Sequence, residues 1–369
     1  MKRAEKLFII HTADMMGGGS QSIRRLIGNL NEEVDLLVPK DGRVSNSALK
    51  RFYGKNVKKI YRFCLPFRQS THGLKLKMEK EDVRKWVRRE KGYLLDKKKI
   101  YKLIRMNHYR FVHLNSYILY PLLTSQFPMY IHIREVFEGG NLTRMIVHRK
   151  LRQAHGVIFI DPVVREAIGS CNQKELVLNN PFNQIGVMSV NKEEVYNNFH
   201  LPEGRTILAF VSACSNEIKG QNYVIEEFLR AGCTKSELLI VGSEASKEYK
   251  HVPGIHFLGR MENMEQIYAI SDFVVRGDVM FATGRTTYEA LYSGCSVMIP
   301  GKRASDKEKF FEYEKFCDRI QFYEPRKKDA LADLIKSVDG KKKEKCLGLS
   351  NETEYVRQFL QFVEGGDRE

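Results

Sequence analysis

Gly17-Gly18-Gly19-Ser20 lies between a short apolar run at 6–11 and a helical pattern at 21–30. Glycines let the backbone approach a ligand closely, and the free N–H groups of the following helix aim partial positive charge at the same place, so an anionic group fits there. A tight strand-to-helix turn uses the same residues. The G-x-G-x-x-G spacing of a dinucleotide site is missing, and so is the Lys-Ser/Thr of a P-loop. His11, His113 and His132 each fall near the C-terminal end of an apolar run, where open α/β sheets bind ligands. They are too scattered in sequence to make a metal site; convergence on one cleft is one reading, and the plain alternative is that each is a hydrogen-bonded structural residue, the commoner role of a lone strand-end histidine. His132-Ile133-Arg134-Glu135 is denser, because an arginine fork and a carboxylate share one strand end. The plain alternative is a local ion pair.

Two further strings stand in the second half. Lys219-Gly220 follows a strand pattern and a polar loop and opens a helical one, which suits an ammonium on a diphosphate beside a helix N-terminus. Thr283-Gly284-Arg285-Thr286-Thr287-Tyr288-Glu289-Ala290 places a glycine, hydroxyls and an arginine at a helix start, with Glu289 about one turn inside. Such a loop holds phosphate while the carboxylate grips ribose hydroxyls. An N-capped helix, with Glu289 only complementing the dipole, is the alternative.

The elements that must position these residues alternate. Strand patterns at 6–11, 34–38, 57–61, 111–114, 129–133, 156–160 and 175–178 are separated by helical stretches, which predicts a parallel, doubly wound sheet across 1–180. The series restarts after Asn179-Asn180-Pro181-Phe182-Asn183, a turn-rich stretch taken as a hinge. Strands at 206–211, 238–242, 255–259, 272–275, 296–299 and 319–322, again alternating with helices, predict a second doubly wound domain over 181–345. In the tail, 346–369, Tyr355, Phe359 and Phe362 have the spacing of an amphipathic helix that packs back on the first domain.

Composition narrows the class. With 369 residues, 43% hydrophobic and 29% charged, the chain exceeds one core and is neither disordered nor collagen-like. Its longest apolar run, 117–123, has seven residues and contains Pro121, far short of the ~20 needed to span a bilayer. No signal-peptide pattern opens the chain, so a cytoplasmic location is expected. Seven cysteines without a C-x-x-C pair suggest reduced thiols, with neither zinc nor a disulfide framework. The formal charge of +16 is localised: residues 43–110 hold 22 Lys and Arg against 5 Asp and Glu, a net of +17, so the other 301 residues carry −1.

The ordered set of strings resembles one family, the retaining glycosyltransferases of the B fold, family four, over nearly the whole chain. The resemblance rests on the glycine loop, His113-Leu114-Asn115, Arg134-Glu135, Ala154-His155-Gly156-Val157-Ile158-Phe159-Ile160, Asn180-Pro181, Lys219-Gly220, Val241-Gly242, Phe257-Leu258-Gly259-Arg260 and Gly284 to Leu291. It implies two facing Rossmann-like domains, the first on the acceptor side and the second holding a nucleotide diphosphosugar. By the same resemblance, Gly17, Gly18, Gly19 and Ser20 help to position the acceptor or the donor phosphate. Lys219, Gly220, Arg260, Gly284, Arg285, Thr286, Thr287 and Glu289 fall at the donor, with Glu289 on its ribose. His132, Arg134 and Glu135 fall where the family carries its strand-end histidine near the transferred sugar. Two family positions differ here: the arginine six residues before Lys219 is Ala213, and the carboxylate eight residues before Glu289 is Phe281.

The resemblance therefore implies transfer of a sugar, with retention of configuration, to a saccharide or lipid-linked saccharide acceptor. No D-x-D string appears, and a site without metal or other cofactor is expected. Two alternatives stand beside it, a nucleotide-sugar epimerase on the same fold and a non-catalytic binder. Segment 43–110 interleaves its cations with Phe52, Tyr53, Phe63, Leu65, Phe67, Trp86, Tyr93, Leu94 and Tyr101, and peripheral docking on an anionic membrane is its expected use. Nucleic acid is not expected, because no recognised binding motif accompanies the charge.

Overall fold

The structure, a computed structural model, describes residues 4–12, 15, 18–40, 44–66, 80–135, 137, 140–182, 185–212, 219–242, 248–279, 281, 283–345 and 350–365. The chain divides into two units, Met1–Pro181 with Glu352–Glu369, and Phe182–Asn351.

Unit 1 holds seven parallel strands: β1 (Lys6–Ile9), β2 (Val34–Pro39), β3 (Val57–Phe63), β4 (Phe111–Leu114), β5 (Met129–Ile133), β6 (Gly156–Phe159) and β7 (Glu175–Val177). Their order is β3-β2-β1-β4-β5-β6-β7. The inner strands are buried on both faces, which is why they read as continuous apolar runs rather than alternating ones. The edge strand β3 is only partly buried and carries Lys58, Lys59 and Arg62, charges that discourage pairing with another chain.

One face of this sheet packs on Ile100 and Ile104 of the long helix Lys80–Asn107, on the 3-10 turn Tyr117–Leu122, and on Val147 and Leu151 of the helix Asn141–Leu151. The other face packs on Ile23, Leu26 and Ile27 of the helix Gly18–Gly28 and on the C-terminal helix Glu352–Glu364. That last helix buries Tyr355, Phe359 and Val363, and Phe359 lies 5.9 Å from the ring of Phe111. The third buried position is thus Val363, one residue beyond the Phe362 that the spacing suggests. Phe362 lies instead 5.9 Å from the ring of Tyr130 and fills the space that a Cβ on Gly156 would take.

Unit 2 holds six parallel strands, β8 (Thr206–Val211), β9 (Ser236–Val241), β10 (Ile255–Gly259), β11 (Phe273–Val275), β12 (Ser296–Pro300) and β13 (Ile320–Tyr323), in the order β10-β9-β8-β11-β12-β13. Helices Gln221–Ala231 and Ala330–Ser337 cover one face, and helices Met264–Ile270 and Gly284–Tyr292 the other. In each sheet the strand order reverses once, between β1 and β4 and between β8 and β11. Doubly wound sheets bind ligands outside the carboxyl ends of the strands at such a reversal. The loops that matter are therefore those leaving β1 and β4 in unit 1, and β8 and β11 in unit 2.

Candidate active site

In unit 1 the reversal is occupied by a polar cluster built around Arg134, one residue past the end of β5. Its Nε donates to Asn115 Oδ1 (2.5 Å), its Nη1 to Asn180 Oδ1 (2.6 Å) and its Nη2 to His132 Nδ1 (3.1 Å). Asn180 also accepts from Ser22 of the helix Gly18–Gly28, and Asn115 Nδ2 donates to the Gly19 carbonyl (3.3 Å). The guanidinium is thus held by side chains from three separated parts of the chain and stands beside the first turn of a helix.

His132 is fully buried, and because arginine can only donate, its Nδ1 is the acceptor; the imidazole is neutral, with its proton on Nε2. Burial, and then the charge of Arg134, hold its pKa well below the usual histidine range. This ring orients Arg134. It cannot also serve as a base through the nitrogen that Arg134 occupies. His113 packs 5.8 Å from His132, 5.1 Å from Phe8 and 5.4 Å from Phe359, so it belongs to the core beneath the C-terminal helix. The reading in which the strand-end histidines share a cleft is corrected for this residue.

Glu135 accepts from Ser116 Oγ (2.6 Å) and from the backbone N–H groups of Tyr117 and Arg134 (both 3.2 Å). Its carboxylate caps the 3-10 turn Tyr117–Leu122, with which it is contiguous through Ser116. Gly18, Gly19 and Ser20 open the helix Gly18–Gly28, and Ser20 is buried with no hydrogen-bond partner for its hydroxyl among the described residues. Gly17 lies outside them.

In unit 2 the reversal between β8 and β11 brings Lys219 to Asp278 (3.0 Å). Asp278 also accepts from Arg276 Nε (2.8 Å) and Nη2 (2.7 Å). Arg276 is 6% exposed, and its Nη1 donates to the Thr283 carbonyl (3.0 Å), Thr286 Oγ1 (3.1 Å) and Thr287 Oγ1 (3.4 Å). One chain of charge-assisted hydrogen bonds therefore runs from Lys219, ahead of the helix Gln221–Ala231, to the first turn of the helix Gly284–Tyr292. Two glycines make it possible. Gly220 has φ +67°, and a Cβ there would lie 1.9 Å from the Gly277 carbonyl; Gly284 has φ +65°, and a Cβ there would lie 2.5 Å from Arg276 Nη1.

Glu289 is held at both oxygens, by Arg285 Nε (2.6 Å) and by the Tyr268 hydroxyl (2.9 Å). Burial, and then the Glu289 charge, push the Tyr268 hydroxyl well above its usual pKa, so it stays a donor. Arg285 also lies over the Phe182 ring, 5.6 Å from its centroid. Arg260 stands exposed just past β10, an edge strand separated from β8 by β9. Phe281 is half-buried and packs on the apolar cluster of unit 2, 3.0 Å from where a Gly301 Cβ would be. The position where the resemblance places a carboxylate is thus apolar and packed. Ala213 lies outside the described residues.

Arg276, Asp278, Tyr268, Asn115 and Asn180 were not singled out as site residues in the sequence. Arg276-Gly277-Asp278 had a signal, since it directly follows the strand at the sheet reversal. Tyr268 had none, being one buried tyrosine in an amphipathic helix.

The aromatic residues of segment 43–110 call for another correction. Tyr53, Leu65 and Tyr93 are buried, and Phe52, Phe63 and Tyr101 pack partly against the core. These described residues do not form an outward aromatic surface; Leu94, by contrast, is exposed. Phe67 and the Trp86 side chain lie outside what is described. Among the described residues no helix is long and apolar enough to cross a membrane.

No protein-family model matches the sequence, and no curated protein matches it. Solved structures do. HepE from Anabaena, in complex with UDP-glucose, is 13% identical, with a TM-score of 0.63 over 90% of this chain and 89% of that one. Sucrose-phosphate synthase from Thermosynechococcus elongatus is 15% identical, with a TM-score of 0.65 over 97% and 96%. A glycosyltransferase from Rickettsia africae is 15% identical, with a TM-score of 0.64 over 99% and 94%. With two parallel α/β sheets of seven and six strands and these neighbours, the chain has the GT-B glycosyltransferase fold.

Proposed function

We propose that the protein transfers a sugar from a nucleotide diphosphosugar to a saccharide or lipid-linked saccharide acceptor, with retention of anomeric configuration. The observation that carries this reading is the hydrogen-bonded chain in unit 2 that joins Lys219 to the start of the helix Gly284–Tyr292 through Asp278 and Arg276. It fixes an ammonium and a helix N-terminus at one sheet reversal, on a fold whose solved examples include one holding UDP-glucose. In this reading Lys219 exchanges part of its contact with Asp278 for the donor diphosphate, and charge building on the leaving group is met by preorganised donors. No metal takes part in the proposed step. Glu289, its orientation set by Tyr268 and Arg285, accepts from the ribose hydroxyls.

In unit 1, Arg134 is the cation offered to the transferred sugar or the acceptor, with His132 and Glu135 holding it and its neighbouring turn in place. An epimerase needs general acid and base groups around the sugar. In the unit 1 cluster Glu135 is committed to Ser116 and to the N–H groups of Tyr117 and Arg134, which supports transfer over epimerisation.

The test is NMR of the reaction products. With donor and a saccharide acceptor, the new linkage is expected to keep the donor's anomeric configuration. An inverted linkage, or a sugar epimerised in the presence of donor alone, would overturn the proposal.

A further inference from the structure

Seven of the ten large apolar side chains that stand exposed among the described residues lie on two helices of unit 1. Three of them, Leu142 (69% exposed), Met145 (61%) and Ile146 (44%), occupy the first turns of the helix Asn141–Leu151. At spacings i, i+3 and i+4 they are neighbours on one helix surface. The second half of the same helix is anchored, with Val147 and Leu151 buried in the core, so the stripe is held outward and is not a frayed end. Residues 141–152 contain Arg144, Arg149, Lys150 and Arg152 and no acidic residue.

This helix is continuous with the most basic part of the chain. Lys150 Nζ donates to the Leu123 carbonyl (3.3 Å), and Lys97 Nζ of the long helix donates to the Pro121 carbonyl (2.9 Å). Both helices therefore close on the turn Tyr117–Leu122, and on the long helix Leu94 and Leu95 are exposed among its cations.

Chemistry selects the occupant. A second copy of the chain would set cations against cations. Three side chains are also too few for a stable protein interface, which needs on the order of 1,000 Å² of buried surface. A bilayer requires no shape complementarity: short apolar side chains enter the headgroup boundary while long cationic ones extend to phosphates around them.

We propose that the first turns of the helix Asn141–Leu151 dock on an anionic bilayer, with Leu142, Met145 and Ile146 inserted and Arg149, i+3 from Ile146 and i+4 from Met145, on headgroup phosphates. The apolar part of this surface lies outside residues 43–110, whose described aromatic side chains pack largely inward. The proposal does not rest on sugar transfer.

Sedimentation with vesicles tests it on the full chain. The wild-type protein is expected to bind vesicles of phosphatidylcholine with phosphatidylglycerol and to be released from pure phosphatidylcholine. Leu142→Ser/Met145→Ser/Ile146→Ser should weaken binding about tenfold or more at both low and high salt. Arg149→Gln should weaken it about fivefold at low salt and much less at high salt. The altered side chains, Leu142, Met145, Ile146 and Arg149, are all exposed, so unchanged thermal melting serves as the folding control. Equal binding to both vesicle types, binding to neither, or a triple variant that binds like the wild type would overturn the proposal.

Discussion

Replacing Asp278 with alanine is expected to destabilise unit 2 by about 3–5 kcal/mol, the usual cost of leaving a buried partner charge uncompensated. Asp278 accepts two hydrogen bonds from Arg276, which is itself buried, and a third contact from Lys219. Removing the carboxylate strands the guanidinium among the Thr283 carbonyl and the Thr286 and Thr287 hydroxyls, which carry no full charge to balance it. Asp278→Asn keeps one acceptor and should cost less. Because two-state unfolding is not assured for a chain of two compact units, hydrogen exchange at β8 and β11 reads the effect better than a single melting temperature. Protection of those strands should collapse in Asp278→Ala while β1 and β4 keep theirs. Unchanged exchange in β8 and β11 would show that the buried pair does not hold this region.

Gly220→Ala should destabilise the same region by about 2–4 kcal/mol, combining left-handed backbone strain with a collision. The added Cβ meets the Gly277 carbonyl at 1.9 Å, and backbone on both sides cannot step aside without moving Arg276 and Asp278. Gly232→Ala separates the two effects. That glycine has nearly the same φ, +61°, but nothing lies within 4 Å of its Cβ position. Only the strain of about 1–2 kcal/mol should appear there. Chemical denaturation followed by hydrogen exchange in unit 2 makes the comparison, and equal losses in the two variants would remove the close backbone approach from the account.

Much of the fold was legible because a parallel sheet buried on both faces writes itself as apolar runs separated by helices. β1, β4, β5 and β12 are of this kind. The C-terminal helix was legible from the spacing of Tyr355 and Phe359, and its third contact slipped by one residue because neighbouring Phe362 and Val363 both find apolar surface.

The candidate site was legible only as types at strand ends. Lys219 and Glu289 stand out as charges at helix starts, and Arg134 and Glu135 as a pair at a strand end. Which residues they meet is not written locally, even for Asp278 with its place after a strand, because Ser22 meets Asn180 across 158 residues and Lys219 meets Asp278 across 59. Local sequence has no signal for such closures. The family's carboxylate position falls on Phe281, and the carboxylate held at the reversal is Asp278, paired with Arg276 and Lys219. In segment 43–110, charge density was visible but direction was not: Tyr93 turns into the core beneath the long helix, and Tyr53 into the core on the opposite face of the sheet.

Titration calorimetry of nucleotide diphosphosugars, UDP-glucose among them, tests the central claim most directly, on the wild-type chain and on Lys219→Ala and Glu289→Ala. At least one donor is expected to bind the wild type. Each substitution removes a charge-assisted contact of about 1.5–3 kcal/mol and should weaken that binding roughly 10- to 150-fold. A panel in which no nucleotide diphosphosugar binds, or in which both variants bind as tightly as the wild type, would contradict the assignment of the donor to unit 2.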